Sequence, residues 1–391
     1  MKAMKYLDFP VDELTRLGAI HTAREISQQP ALWLKIWEEA TARRPEIEQF
    51  FQATKNVRRI ILTGAGTSAF IGLSLRGAFQ RGRGILTEAI STTDLVSHPQ
   101  DYLLPEVPTL LVSFARSGNS PESAAAARLA DEICRQCFHL VITCNPEGLL
   151  AMSPSPNLKY IYTLPAEAND QSLAMTSSYS GMLLAGKLLA NIEAVAEQET
   201  TVLSLARYAE KVITKDTAEL KAIAALDFQR AVFLGGGPLY GTATEGHLKL
   251  QELTDGQVIC KNDSYLGFRH GPKAVIDSQT LVVYTFSNNP HAQQYEKDLV
   301  GAMKKGTPPL AEIGIAETAP EGIKLDHLII LSNGGATVGE EFLTVAAIVP
   351  AQLLGFFKSL QLGLKPDAPS ATGAITRVVE GVQIYALNGT R

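Results

Sequence analysis

The chain has 391 residues, 46% hydrophobic and 19% charged, which describes a globular protein with enough apolar mass for two domain-sized cores. Its formal net charge of −5, with no basic stripe to offset it, excludes bulk nucleic-acid binding, so an anionic ligand would need a local positive field. No run of about 18 apolar residues offers a membrane span, and the opening MKAMKY lacks the apolar core of a signal peptide, so a cytoplasmic protein is expected.

Residues 8–30 mix polar and apolar positions and close on Pro30, after which Leu32, Trp33, Ile36 and Trp37 recur at helical spacing. This predicts an arm of helices, with Pro30 opening the second helix and both tryptophans packed inward. Residues 59–69 then read as strand, glycine turn and helix, the helix continuing through Phe79. Further strands are expected near 84–89, 109–112, 138–145 and 159–164. Short apolar runs alternating with helices imply a parallel sheet covered on both faces, with ligands beyond the carboxyl ends of its strands. Cys134 and Cys137 have a C-x-x-C spacing but fall in a helical pattern of their own, with Cys144 in a strand and Cys260 far away. Neither a disulfide framework nor a zinc site is expected.

The third strand runs into residues 113–123, SFARSGNSPES, and then an alanine-rich helix. Unpaired amides at a helix start, the hydroxyls of Ser117 and Ser120 and the planar cation of Arg116 together make an anion seat. The plainer alternative is a capped turn, with Asn119 or Ser120 as N-cap and Pro121 at the first helical position. Another hydroxyl cluster, at residues 176–180, precedes an apolar helix expected over 182–192; capping accounts for two of its four hydroxyls.

After a charged, helical linker over about 197–221 the pattern begins again. Residues 230–237 restate 59–66, and Gly235 minus Gly64 is a shift of 171; Thr280 minus Thr109 is again 171; residues 326–333 match 138–145 at a shift of 188. Three ordered matches imply a duplicated domain. At the place of the first anion seat the second copy reads Phe286, Ser287, Asn288, Asn289, without glycine or arginine, so this second seat is expected to be vestigial. It carries instead Glu245, Lys249 and Glu252 on one helix face, for which a solvated ion-pair face is the plain alternative. His270 lies in a turn before Gly271 and Pro272, a candidate acid or base.

In combination, residues 64–68 (GAGTS), 117–120 (SGNS), 245–252 (EGHLKLQE) and 269–272 (RHGP) in a doubled sheet domain resemble the double sugar isomerase (SIS) fold. That is the isomerase half of glutamine:fructose-6-phosphate amidotransferase, whose entry segment is similar to residues 25–30 (EISQQP). Residues 22–33, 172–179 and 365–382 are similar to the AgaS branch, the galactosamine-6-phosphate deaminase/isomerases also named tagatose-6-phosphate ketose/aldose isomerases. The resemblance covers nearly the whole chain. It implies an α/β fold of two tandem SIS domains, each a flavodoxin-like three-layer parallel sheet flanked by helices. An N-terminal helical arm (1–50), a first SIS domain (51–200), a second (201–360) and a C-terminal tail near the substrate (361–391) are the expected divisions.

The resemblance also implies roles. Ser117, Gly118, Asn119 and Ser120 would hold a sugar phosphate, with Gly66, Thr67 and Ser68 near the sugar. Glu252 would carry a proton between C1 and C2, Lys249 would stabilise the enediol oxygen, and His270, supplied by the neighbouring subunit, would open the ring. A homodimer with a shared site follows, open to higher assembly. Arg116 stands where the family has glutamine, so its place in the seat is read from its own chemistry. Arg377 takes the place of a C-terminal lysine, and Thr176 and Ser177 join the binding set. With no glutaminase domain ahead of the isomerase part, the expected direction is ammonia release, from galactosamine 6-phosphate to tagatose 6-phosphate. No metal or other cofactor is expected, because the substrate's own carbonyl is the electron sink; the partner is the phosphorylated amino sugar, with no nucleic acid and no membrane.

Three alternatives stand beside this reading. One is isomerisation without loss of nitrogen. A second is a phosphosugar-sensing module, which would not need Glu252 with His270. The third is a nucleotide-dependent oxidoreductase: Gly64, Gly66 and Ala69 fit G-x-G-x-x-A after a strand, and Glu88 lies 24 residues beyond Gly64, where a ribose-binding carboxylate would stand.

Overall fold

A computed structural model describes residues 4–379 and 381–387. Two five-stranded sheets, each wholly parallel, form the frame. The first contains β1 (Arg59–Thr63), β2 (Leu86–Ala89), β3 (Thr109–Ala115), β4 (Cys137–Thr143) and β5 (Lys159–Thr163), in the order β2-β1-β3-β4-β5. The second contains β6 (Arg230–Leu234), β7 (Ile259–Asp263), β8 (Thr280–Thr285), β9 (Ala311–Ala316) and β10 (His327–Ile330), in the equivalent order β7-β6-β8-β9-β10. The central strands β3 and β8 are buried along their whole length, as continuous apolar runs between two helical layers must be.

The two 171-residue shifts are structural equivalences. Arg59 pairs with Thr109 in the first sheet, and Arg230 pairs with Thr280 in the second, so the duplicated strands share a register. The 188-residue match is not one. Residues 327–330 form the outermost strand of the second sheet, whereas 137–143 lie next to the central strand of the first; the counterpart of β4 is β9, which the sequence reading passed over. Both segments begin near a histidine and continue as an apolar run, and such a run fits any position in a parallel sheet.

Two further expectations change. Pro30 does not open a helix; it lies inside the single helix Ile20–Ala42. Its ring deprives the Ile26 carbonyl of a backbone donor, and the Gln29 side-chain amide supplies one at 3.1 Å. Cys134 and Cys137 do not share a helix: Cys134 caps the end of Pro121–Ile133 and Cys137 begins β4.

Five helices, Ile20–Ala42, Thr67–Arg83, Ser177–Ala190, Leu239–Leu253 and Val349–Gln361, pack together between the sheets. Thr67–Arg83 and Leu239–Leu253 approach so closely that a Cβ on Gly241 would lie 2.3 Å from Ser74 Oγ. The apolar stretch Glu340–Gln361 has the length and composition of a membrane span, and 94% of its most apolar 18-residue window is buried in this helical layer. Its greasiness therefore serves the core.

In each sheet the strand order reverses between the first strand and the central one. At such a reversal the following loops diverge to opposite faces and leave a crevice at the carboxyl edge. The crevice of the first sheet lies between the Gly64–Gly66 turn and the loop after β3.

Candidate active site

The loop after β3 is held open from behind. Gly118 takes φ +65°, a left-handed conformation suited to glycine. Asn145 Nδ2 donates to the Ser117 carbonyl at 2.8 Å, and Asn119 Oδ1 accepts from the Leu149 amide at 3.0 Å. Ser120 stands at the N-cap of Pro121–Ile133, with Pro121 at the first helical position, but its hydroxyl bonds Ser123 Oγ at 2.6 Å instead of capping an amide. The bracing leaves Ser117, Gly118, Ser120 and Ser123 lining a cavity of about 510 Å³. Asn119 is turned into the brace and does not line it.

The opposite wall of this cavity contains Gly66, Thr67 and Ser68 at the start of the Thr67–Arg83 helix, and Glu252 from the second half of the chain. Glu252 lies in the last turn of Leu239–Leu253, whose packing on Thr67–Arg83 carries it to the first sheet's crevice. The solvated-face alternative fails: Glu245 and Lys249 are fully buried, and only Glu252, 23% exposed, reaches the opening. Lys249 Nζ spends its hydrogens on Glu252 Oε2 at 2.5 Å, Thr67 Oγ1 at 3.2 Å and Glu245 Oε1 at 3.3 Å. It therefore stands behind the carboxylate, where it braces Glu252, and is not among the residues lining the cavity. Burial pushes the Glu245 carboxyl up to about 8 despite Lys249. Burial disfavours the Lys249 ammonium too, but Glu245 and Glu252 outweigh it and raise that pKa.

Other expected residues are placed differently. His270 is exposed in the turn between the short helix Tyr265–Phe268 and Pro272–Val275, and is not among the residues lining the Glu252 cavity. Thr176 and Ser177 are fully buried away from the cavity, and the expected apolar helix starts at Ser177. Both serve Asp170, whose carboxylate accepts from the Thr176 and Ser178 amides at 2.8 Å and from the Ser177 hydroxyl. Arg116 and Arg377 do line the cavity, but their guanidinium groups are bonded to the protein. Asp170 is the residue that sequence reasoning missed. It caps a helix from seven positions before its first residue, beyond the spacing of an ordinary N-cap.

In the second half the place equivalent to the Ser117 loop, around Ser287, is filled by the chain's own carboxylates. Glu296 accepts from the Ser287 amide at 3.1 Å, Glu340 from the Ser287 hydroxyl, and Glu317 from Asn288 Nδ2 at 2.6 Å. Burial raises the Glu296 carboxyl to about 8. The carboxylate that would serve a ribose, Glu88, is taken as well: Arg59 Nε holds it at 2.5 Å.

Comparison with known proteins agrees with this architecture. The SIS domain family matches residues 55–192. The D-galactosamine-6-phosphate deaminase AgaS of Shewanella sp. (strain ANA-3) is 41% identical over 379 residues, covering 96% of this chain and 94% of that protein. A solved structure from Clostridium novyi NT, named as a candidate tagatose-6-phosphate ketose/aldose isomerase, superposes with a TM-score of 0.93 at 37% identity, covering 98% of this chain and all of its own. The tagatose-6-phosphate ketose/aldose isomerase of Escherichia coli gives 0.85 at 34% identity, over 94% of this chain and 97% of its own. Likeness of this degree along the full length of both sheets means that the chain belongs to the AgaS family of double-SIS proteins.

Proposed function

We propose that the chain deaminates and isomerises galactosamine 6-phosphate, giving tagatose 6-phosphate and ammonia. One observation carries this reading: a hydroxyl- and amide-rich loop and a lysine-braced carboxylate, from opposite halves of the chain, line the same cavity. The name of the Shewanella relative supports the choice of substrate.

The loop of Ser117, Gly118 and Ser120 binds the phosphoryl end, leaving C1 and C2 toward Glu252. Ring opening moves the anomeric hydroxyl proton to the ring oxygen, a task for His270 reaching the cavity from a second copy of the chain in a homodimer. Glu252 then takes the C2 proton, acidified by the C1 aldehyde, and returns it to C1. With a nitrogen proton passing to O1 as the C1 carbonyl becomes a hydroxyl, this leaves an imine at C2. Water adds there, the C–N bond breaks, and ammonia departs as the ketose forms. Lys249 holds the Glu252 carboxyl in place for both transfers. These are steps on a small phosphorylated metabolite, which fits a cytoplasmic enzyme.

Ammonia and ketose measured together over a panel of hexosamine 6-phosphates and hexose 6-phosphates test the proposal. Equimolar ammonia and tagatose 6-phosphate from galactosamine 6-phosphate is the expected result. Ketose formed only from the nitrogen-free aldose would replace it with plain isomerisation.

A further inference from the structure

One wall of the cavity belongs to neither sheet. Residues 373–379, outside any helix or strand, lie across the opening beside Leu173 and Met175. Two arginines hold them there. Arg116, 7% exposed, donates from Nη1 to the carbonyls of Ser172 at 3.2 Å and Leu173 at 3.1 Å, and from Nη2 to the Arg377 carbonyl. Arg377 answers in the other direction. Its Nε donates to the Asp170 carbonyl at 2.9 Å, and its Nη2 to Asn169 Oδ1 at 3.0 Å. The first arginine thus grips the tail's backbone, while the tail's own arginine grips the loop that the first one also holds. That loop is fixed in turn by Glu25 of the arm helix, which accepts from the Gln171 amide at 2.5 Å and the Ser172 amide at 3.3 Å.

A guanidinium that binds phosphate presents two parallel donors to it. Arg116 spends three of its five N–H donors, both of Nη1 and one of Nη2, on carbonyl oxygens, although it immediately precedes the Ser117 loop. We propose that Arg116 and Arg377 are positioning residues: together they fasten residues 373–379 as a wall of the phosphosugar cavity, and they act on substrate through that wall. The inference rests on the phosphosugar reading of the cavity but has a readout that does not.

The variants are Arg116→Ala, Arg116→Lys, Arg377→Ala, the double alanine variant and a chain ending at residue 372. Losing charge-assisted bonds to the wall should raise KM by about tenfold or more while kcat changes far less. The double variant should be no worse than the worse single, and the shortened chain should match Arg116→Ala. Lysine keeps the charge but cannot bond three carbonyls from one plane, so Arg116→Lys should resemble alanine. A near-normal KM in Arg116→Lys would show direct phosphate binding and overturn the proposal. Limited proteolysis without substrate decides independently of turnover: the tail should be protected in the wild type and cut in Arg116→Ala and Arg377→Ala. Equal cleavage in all three would overturn the latch even if the substrate assignment held, whereas lost turnover on every sugar phosphate with a protected tail would remove only the substrate.

Discussion

Glu252 differs from the two other carboxylates that surround it in function by one property, access. Glu245, on the same helix face, is sealed behind Lys249, and Glu88 is taken by Arg59. Glu252→Gln keeps the shape of the cavity and removes only the base, so turnover should fall by about 10²- to 10⁴-fold with phosphosugar binding retained, as read by kinetics and calorimetry. Activity near wild type would remove Glu252 from the proton transfer. A second residue-scale prediction concerns pH. Burial lifts Glu25 to about 7, and Glu245 and Glu296 to about 8, from an ordinary 4.5. Between those values the folded chain keeps protons that the unfolded chain has released. Their contribution is therefore complete below pH 4.5 and is lost as pH rises toward 8, with a slope of at most about 1.4 kcal/mol per pH unit for each group. Urea unfolding at pH 5.5 and 8.5 should show the loss, and Glu296→Gln, remote from the cavity, should flatten it. An unchanged slope in that variant would mean Glu296 is already ionised at neutral pH.

At the scale of elements, a buried amide network repairs the proline in the arm helix. Gln29 Nε2 donates to the Ile26 carbonyl and to Gln352 Oε1 at 2.7 Å, its Oε1 accepts from Ser180 Oγ at 2.6 Å, and Ser180 accepts from Trp33 Nε1 at 3.0 Å. Gln352 continues the chain to the Thr176 carbonyl at 3.2 Å. Three helices of the inter-sheet layer are joined at this point. Gln29→Ala should cost about 1–3 kcal/mol, since it strands buried polar partners on each helix. Adding Pro30→Ala should recover part of that loss by giving Ile26 a backbone donor, which chemical denaturation of the single and double variants can measure. No recovery would mean that Gln29 acts only through Gln352 and Ser180. The helix around Pro30 was half legible in sequence: the apolar spacing after it was plain, but a side chain standing in for a missing amide has no sequence signature.

At the scale of the molecule, each half supplies what the other lacks. The first has the open Ser117 loop, whereas the second has filled the equivalent loop with Glu296, Glu317 and Glu340 and lends Glu252 across the helical layer instead. His270 lies outside the cavity of its own chain, and the shared-site reading places it in the neighbour's. Mixing His270→Ala with Glu252→Gln subunits should therefore restore about a quarter of wild-type activity, because half of random dimers are mixed and each mixed dimer carries one intact site. Verified mixed dimers without activity would put the whole site within one chain.

The strands β7 and β9 of the second sheet were not read from the chain unaided, whereas the strands of the first sheet, the glycine turns and the 171-residue repeat could be, because each motif rests on neighbouring residues whose geometry is local. The same holds for the SGNS loop and for the face shared by Glu245, Lys249 and Glu252. Which of those three carboxyl and amino groups meets the cavity could not be read, since burial depends on a helix that begins 172 positions earlier, at Thr67 against Leu239. Nor could the fates of Arg116, Thr176 and Ser177. A polar side chain bonds whatever the fold brings within reach, and only packing between distant segments settles whether that partner is a ligand or the protein's own backbone.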